Sequence, residues 1–210
     1  MTTTDLFIDQ LADTAKPVRP VRERHGRVAG LLAAAGTVAF VLGYYGVRPQ
    51  LATGTVDAVT LVLIALFGLL AVAAGITAVR MAQPAVGSPP SGAPWLLGAV
   101  MIFPAIAVVE ALVGHGESSQ AFLGTTCLKL GSIASLLTAA VLVLHLRRGA
   151  PVLPEQAGLY AGVSAGAVGA MAFTLECGGS TFAHLSFWHV GIVAIWAVIG
   201  RTILPRLVRW

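Results

Sequence analysis

Residues 58–79 read AVTLVLIALFGLLAVAAGITAV, an apolar run without a charged side chain. A helix needs roughly 20 such residues to cross the ~30 Å hydrocarbon layer of a bilayer. In lipid, a lone segment satisfies its backbone polar groups only by forming that helix. Five further runs of the same kind lie around it, at 28–47, 94–113, 123–146, 157–175 and 183–204. The runs at 123–146 and 183–204 are the weakest, because Lys129 falls near the start of one and His184 and His189 near the start of the other. The expected fold is all-α: a polytopic membrane protein with six transmembrane helices.

Composition agrees with this reading. Hydrophobic residues make up 57% of the 210 positions and charged ones 10%, with a mean hydropathy of +0.86. That is too little charge to coat a soluble globule of this size. The cations are also segregated along the chain. Lys16, Arg19, Arg22, Arg24 and Arg27 precede the first run, Arg80 follows the second, Arg147 and Arg148 follow the fourth, and Arg201, Arg206 and Arg209 close the chain. Only Arg48 and Lys129 fall on the other side. Cationic loops are retained inside, so both termini are expected in the cytoplasm. The pI of 9.6 is then a basic inner rim against anionic lipid, with no direct nucleic-acid partner implied. No cleavable signal peptide is expected, and the first helix serves as its own insertion signal.

Two parts follow: a cytoplasmic segment, 1–27, and a six-helix membrane domain, 28–210. In the segment, a short helix from Asp5 to Ala15 gathers Phe7, Ile8, Leu11, Ala12 and Ala15 on one arc, with Asp5, Asp9 and Asp13 stacked beside it. Thr4 or Asp5 is the expected cap, and Pro17 and Pro20 end the helix. So short a helix is marginal in water and favours folding against something. Its acidic face suits a protein partner better than an anionic leaflet. The linker at 81–94 is rich in Pro, Gly and Ser. The stripe Gly158, Gly162 and Gly166 reads as helix packing, and Pro104 as a kink.

Chemistry concentrates on two cysteines, Cys127 and Cys177. The fourth and fifth runs form a hairpin whose loop is centred near Val152, equidistant in sequence from the two. Antiparallel helices rising 1.5 Å per residue therefore end with both thiols at one depth. The same outer face collects Glu110, His115, Glu117, Glu176, His184 and His189. Two thiolates with one or two imidazoles suit copper, zinc or cadmium, although neither C-x-x-C nor H-x-x-x-H spacing is present. The metal-ligand candidates are Cys127 and Cys177, with His115, Glu176, His184 and His189 as auxiliaries. A pair that oxidises or binds metal is favoured, a permanent disulfide is its rival, and a preformed metal site ranks last. His25 and His145 read as interfacial polar residues.

These features resemble the NrsF-like membrane anti-sigma factors, six-span negative regulators of extracytoplasmic-function sigma factors. The resemblance runs through Ile8-Asp9, Leu11-Ala12 and Pro17-Val18, then Cys127-Leu128, Arg147-Arg148-Gly149-Ala150-Pro151, and Ala157-Gly158 to Ala161-Gly162. It continues with Cys177, Phe182 and Trp188 and closes with Arg209-Trp210. Glu176 and Gly178 depart from the family's frequent His and Pro. The resemblance implies a non-enzymatic regulator of the bacterial inner membrane without a permanent cofactor. It implies that the N-terminal segment, through Asp5, Phe7, Ile8, Asp9, Leu11, Ala12, Pro17 and Val18, holds the sigma factor. Release would follow when Cys127 and Cys177 meet a heavy metal or an oxidant. The alternative is a small membrane thiol oxidoreductase or metal-ion transporter. It ranks second, because only one thiol pair is present and the spans are apolar at their centres.

Overall fold

The computed structural model describes residues 2–14, 21–84, 93–112, 121–179 and 181–208, and all regular structure among them is helical. Helix α1 spans Thr3–Thr14, α2 Glu23–Tyr45, α3 Pro49–Thr53, α4 Ala58–Met81 and α5 Ala93–Leu112. Helix α6 spans Ala121–Arg148, α7 Pro154–Glu176 and α8 Phe182–His184. A π-helical turn, Leu185–His189, leads into α9, Val190–Thr202, and α10, Leu204–Val208. Five helices are long and apolar enough to cross a membrane: α2, α4, α6, α7 and the composite Phe182–Thr202. The third expected span falls in α5, whose shorter apolar stretch is Leu97–Val109. Pro104 lies inside α5, and residues 85–92 of the expected linker lie outside the described residues.

Helix α7 is the centre of the bundle, packed by α4, α6, α9 and α2. Nearly half of its residues are Ala, Gly or Ser, which lets neighbouring backbones come close, as lipid-embedded helices favour. At Gly162 the Trp196 carbonyl and the Gly200 backbone leave no room for a methyl group. The expected packing role of the glycine stripe is thus the observed one. Polar contacts join the helices at depth. Ser164 Oγ donates to the Ala71 carbonyl at 2.8 Å, Trp196 Nε1 to the Ser132 carbonyl at 3.1 Å, and Thr37 meets Thr138 at 3.4 Å.

The antiparallel helices define two ends. At one, the Ala150 N–H of the α6–α7 loop donates to the carbonyl of Ala82, which ends α4, at 3.0 Å. Arg22, Arg24, Arg27, Arg80, Arg147, Arg148, Arg201 and Arg206 belong to the same end. The opposite end holds the C-terminus of α2, the N-termini of α4 and α6, the C-terminus of α7 and the π turn.

Helix α1 corrects the expected cap. The Asp5 N–H donates to Thr2 Oγ1 at 3.3 Å while Thr2 N donates to Asp5 Oδ2 at 2.7 Å, a reciprocal capping box with Asp5 three residues after the cap. The cap falls on Thr2 rather than Thr4 or Asp5 because the helix begins two residues earlier than the apolar arc implies. These bonds, the backbone one first, hold the Asp5 carboxyl below its ordinary range. Leu6, Phe7, Ile8 and Leu11 are all more than half exposed. Pro17 and Val18, assigned to the same binding segment, lie outside the described residues.

Candidate functional site

The hairpin of α6 and α7 brings the thiols together. Cys127 Sγ donates to Cys177 Sγ at 3.3 Å, and both are buried free thiols. Their expected common depth is therefore met with side chains in contact. Two imidazoles join them: donor atoms of Cys127, Cys177, His184 and His189 all lie within 4.8 Å of one another. All four residues are less than 9% exposed.

The two histidines share a face because of the π turn. At 3.6 residues per turn, positions five apart on an α-helix point about 140° away from each other. The i→i+5 bonding of a π turn places such positions one above the other. The His184 and His189 ring centroids lie 5.4 Å apart. Thr181 starts the segment by accepting the His184 N–H at 3.3 Å. Trp188, from the same turn, lies against α6 where Gly124 leaves it space; a Cβ at position 124 would overlap the indole. That contact seats the turn one helical turn before Cys127.

Hydrogen bonding sets which nitrogens are available. Thr174 Oγ1 donates to the Ala170 carbonyl at 2.7 Å, so toward His189 Nδ1, 2.9 Å away, it acts as an acceptor. His189 therefore carries its proton on Nδ1, which leaves the Nε2 lone pair buried with no protein partner. An outer group that fixes a histidine tautomer in this way is the usual companion of a metal-binding imidazole. His184 Nε2 lies 3.3 Å from Cys177 Sγ, and its Nδ1 is likewise buried and unpartnered. Cys177 also accepts the Gly179 N–H at 3.4 Å.

Among the remaining candidates, Glu176 is half-buried and does not belong to the converging set. It ends α7 one position before Cys177. His115 and Glu117 lie outside the described residues, as does the side chain of Glu110. His145 is more than an interfacial residue, since its ring packs on Gly26 of α2 with no space for a Cβ there.

Three contributors carry no motif. Thr174 could have been found from its position three residues before Cys177 and nothing more. Gly179 sits so close to the His184 ring that a Cβ would stand 2.9 Å from it. Arg48 is fully buried. Its guanidinium donates to the Gly179 carbonyl at 3.2 Å, to Thr60 Oγ1 at 3.4 Å and to Gln50 Oε1 at 3.3 Å, and lies 4.0 Å from Asp57. Its orphan position among loops was the one available signal.

Two thiols and two imidazoles at these separations can close on one tetrahedral ion. Alternatively, the thiols can oxidise to a disulfide. A family model described as "Negative regulator of sigma F" (NrsF) matches residues 11–210. The "Anti-sigma-F factor NrsF" of Caulobacter vibrioides is similar, at 30% identity over 222 aligned positions that cover 99% of each chain. No solved structure matches the chain.

Proposed function

The chain belongs to the NrsF family, a regulatory and non-enzymatic family of anti-sigma factors, and from that premise we propose how it works. It sits in the bacterial inner membrane with six spans, the cation-rich end and both termini cytoplasmic. Residues 1–27 hold an extracytoplasmic-function sigma factor. The apolar face around Phe7, Ile8 and Leu11 docks on it, with Asp5, Asp9 and Asp13 toward a basic surface and Pro17 and Val18 completing the contact. At the outer end, Cys127, Cys177, His184 and His189 take up a soft or borderline ion such as copper, zinc or cadmium, or the thiols are oxidised. The sigma factor is then released.

The observation that carries this reading is the convergence of the four donors. A tetrahedral ion with bonds of about 2.0–2.3 Å holds its donors about 3.3–3.8 Å apart. The observed set spans up to 4.8 Å, so binding contracts it and pulls α6, α7 and the π turn together. Moving a two-state protein from mostly holding to mostly releasing takes about 5.5 kcal/mol of differential affinity. Structural zinc binding totals about 10–16 kcal/mol, so a difference between the two states of about a third to a half of it suffices. Joining the thiols instead would close 3.3 Å to about 2.05 Å.

Two measurements test it. Deletion of residues 2–17 is expected to abolish co-purification of the sigma factor, and unchanged recovery would refute the binding role of that segment. Cys127→Ser with Cys177→Ser is expected to leave the sigma factor held in the presence of cadmium or a thiol oxidant. Release from the double variant would remove the sensing role from the thiols.

A further inference from the structure

We propose that Arg48 is a positioning residue that carries the state of Cys177 to the first hairpin, α2 to α4. A polar chain that runs outward from Arg48 in both directions joins the two. The Gly179 N–H donates to Cys177 Sγ at 3.4 Å, and the Gly179 carbonyl accepts from the Arg48 guanidinium at 3.2 Å. Arg48 donates to Thr60 Oγ1 at 3.4 Å, and Thr60 Oγ1 donates to Asp57 Oδ2 at 2.7 Å. Asp57 in turn caps α4 by accepting the Thr60 N–H at 2.8 Å. The Arg48 backbone N–H donates to the Leu175 carbonyl at 2.9 Å, so the exit of α2 is tied to the last turn of α7.

An arginine that served only to staple loops would need its partners and nothing else. This one hangs on a residue whose other polar group donates to the sensor sulfur. Gly179 cannot shift toward His184, because the ring already occupies the space a Cβ would need. When the Cys177 sulfur is bound by a metal or joined to Cys127 by a thiol oxidant, its charge and position change and so does its hold on the Gly179 N–H, which displaces Gly179 and its carbonyl against Arg48. A fully buried guanidinium losing that acceptor must find another, since an uncompensated buried charge is costly. The partners within reach are Thr60, Gln50 and Asp57, all on α3 or the cap of α4. The first hairpin therefore shifts, and α2 is the helix that follows the N-terminal segment. The purpose assigned to this relay rests on the reading of Cys177 as the sensing thiol.

The test is a double-mutant cycle on the full chain in lipid nanodiscs, read by hydrogen exchange of residues 49–61. Cys177→Ala alone and Arg48→Gln alone are each expected to speed exchange there about tenfold, the worth of one charge-assisted hydrogen bond. The double variant is expected to show no further increase. Multiplying effects, or no response of 49–61 to Cys177→Ala, would overturn the relay. Thr60→Val, which keeps the side-chain shape, replaces Arg48→Gln in the cycle if the latter does not insert, with the same expected non-additivity. A second arm adds Cd²⁺ alone. Thiolate-to-cadmium absorption is expected in both wild type and Arg48→Gln, with altered exchange at 49–61 in wild type only. A variant that fails to bind cadmium would show that Arg48 merely builds the site. Absence of cadmium absorption in wild type would sink the metal reading, while the cycle still decides on Arg48.

Discussion

Helices α7 and α2 are equal in length and opposite in setting. Most side chains of α7 are buried by four neighbouring helices, whereas α2 buries only Gly26, Ala33, Thr37 and Val41 and turns Leu31, Leu32 and Phe40 outward. Both are apolar, so hydropathy alone does not separate them. Side-chain size does so only weakly, since Ala, Gly and Ser fill eleven of the 23 positions of α7 and nine of the 23 of α2; the difference lies in how many helices surround each. The element that leads into Cys177 is thus fixed, and the element that follows the N-terminal segment is lightly held. Its contacts run along one face: the His145 ring on Gly26, Thr37 on Thr138, Val41 against Ala172 and Phe173, and beyond its end the Arg48 backbone on Leu175. A displacement at the thiol end has more freedom to move α2 than α7.

Gly162→Leu is the strongest way to break this contrast. It forces a side chain into the Trp196 carbonyl and is expected to cost more than about 3 kcal/mol or to prevent folding. Gly30→Ala on α2 meets only Leu142, at 3.5 Å, and is expected to stay within about 0.5 kcal/mol of wild type. Thermal unfolding in detergent, followed by size-exclusion fluorescence, compares the two. Equal losses would mean that α2 is as tightly packed as α7.

Thr174→Val acts on the site while sparing the bundle. It frees the His189 tautomer and is expected to weaken Cd²⁺ or Zn²⁺ binding about 10–100-fold, measured by competition with a chromophoric chelator. Unchanged affinity would show that His189 is not a ligand.

Much of this architecture was legible beforehand. The apolar runs located the long helices to within a few residues, and the hairpin count placed Cys127 and Cys177 at one depth. The pairing of His184 with His189 was not legible. An interval of five suits neither α-helical nor strand periodicity, and only the π turn brings the two into register. The burial of Arg48 was not legible for a related reason. Charge counting places a cation on one side of the membrane and says nothing of its surroundings, and this one is enclosed by acceptors on α3, the start of α4 and the segment after α7. The cap of α1 was missed because the apolar pattern begins after the helix does.

Smaller effects refine the contrast. Thr37→Val removes the hydroxyl that links α2 to Thr138 and is expected to cost about 0.6 kcal/mol, the usual worth of such a bond in a membrane. A double-mutant cycle with Thr138→Val measures it, and a coupling several times larger would make α2 a core helix.

Asp57 supplies the weakest effect and a pH dependence. Burial pulls its carboxyl up, but the Thr60 side chain and backbone and the Arg48 charge outweigh that and leave it below 3.8. A lowered folded value stabilises above the unfolded one and is lost as pH falls through the folded one. The α4 cap is therefore expected to loosen only below about pH 3.8. Hydrogen exchange at residues 58–61 reads this, and Asp57→Asn should remove the dependence in that window.

The concealment of the four donors has a kinetic consequence. A reagent reaches a sulfur that is under 9% exposed only after a local opening, so at high concentration the opening rate governs the reaction rather than the reagent. Thiol modification should then rise with reagent and level off. A brief exposure shorter than the opening time leaves most molecules untouched, however concentrated it is. On the proposed sensing role, walls closed around an ion would also slow its escape, and the protein would answer to the duration of an insult rather than its peak and keep a record after the insult has passed.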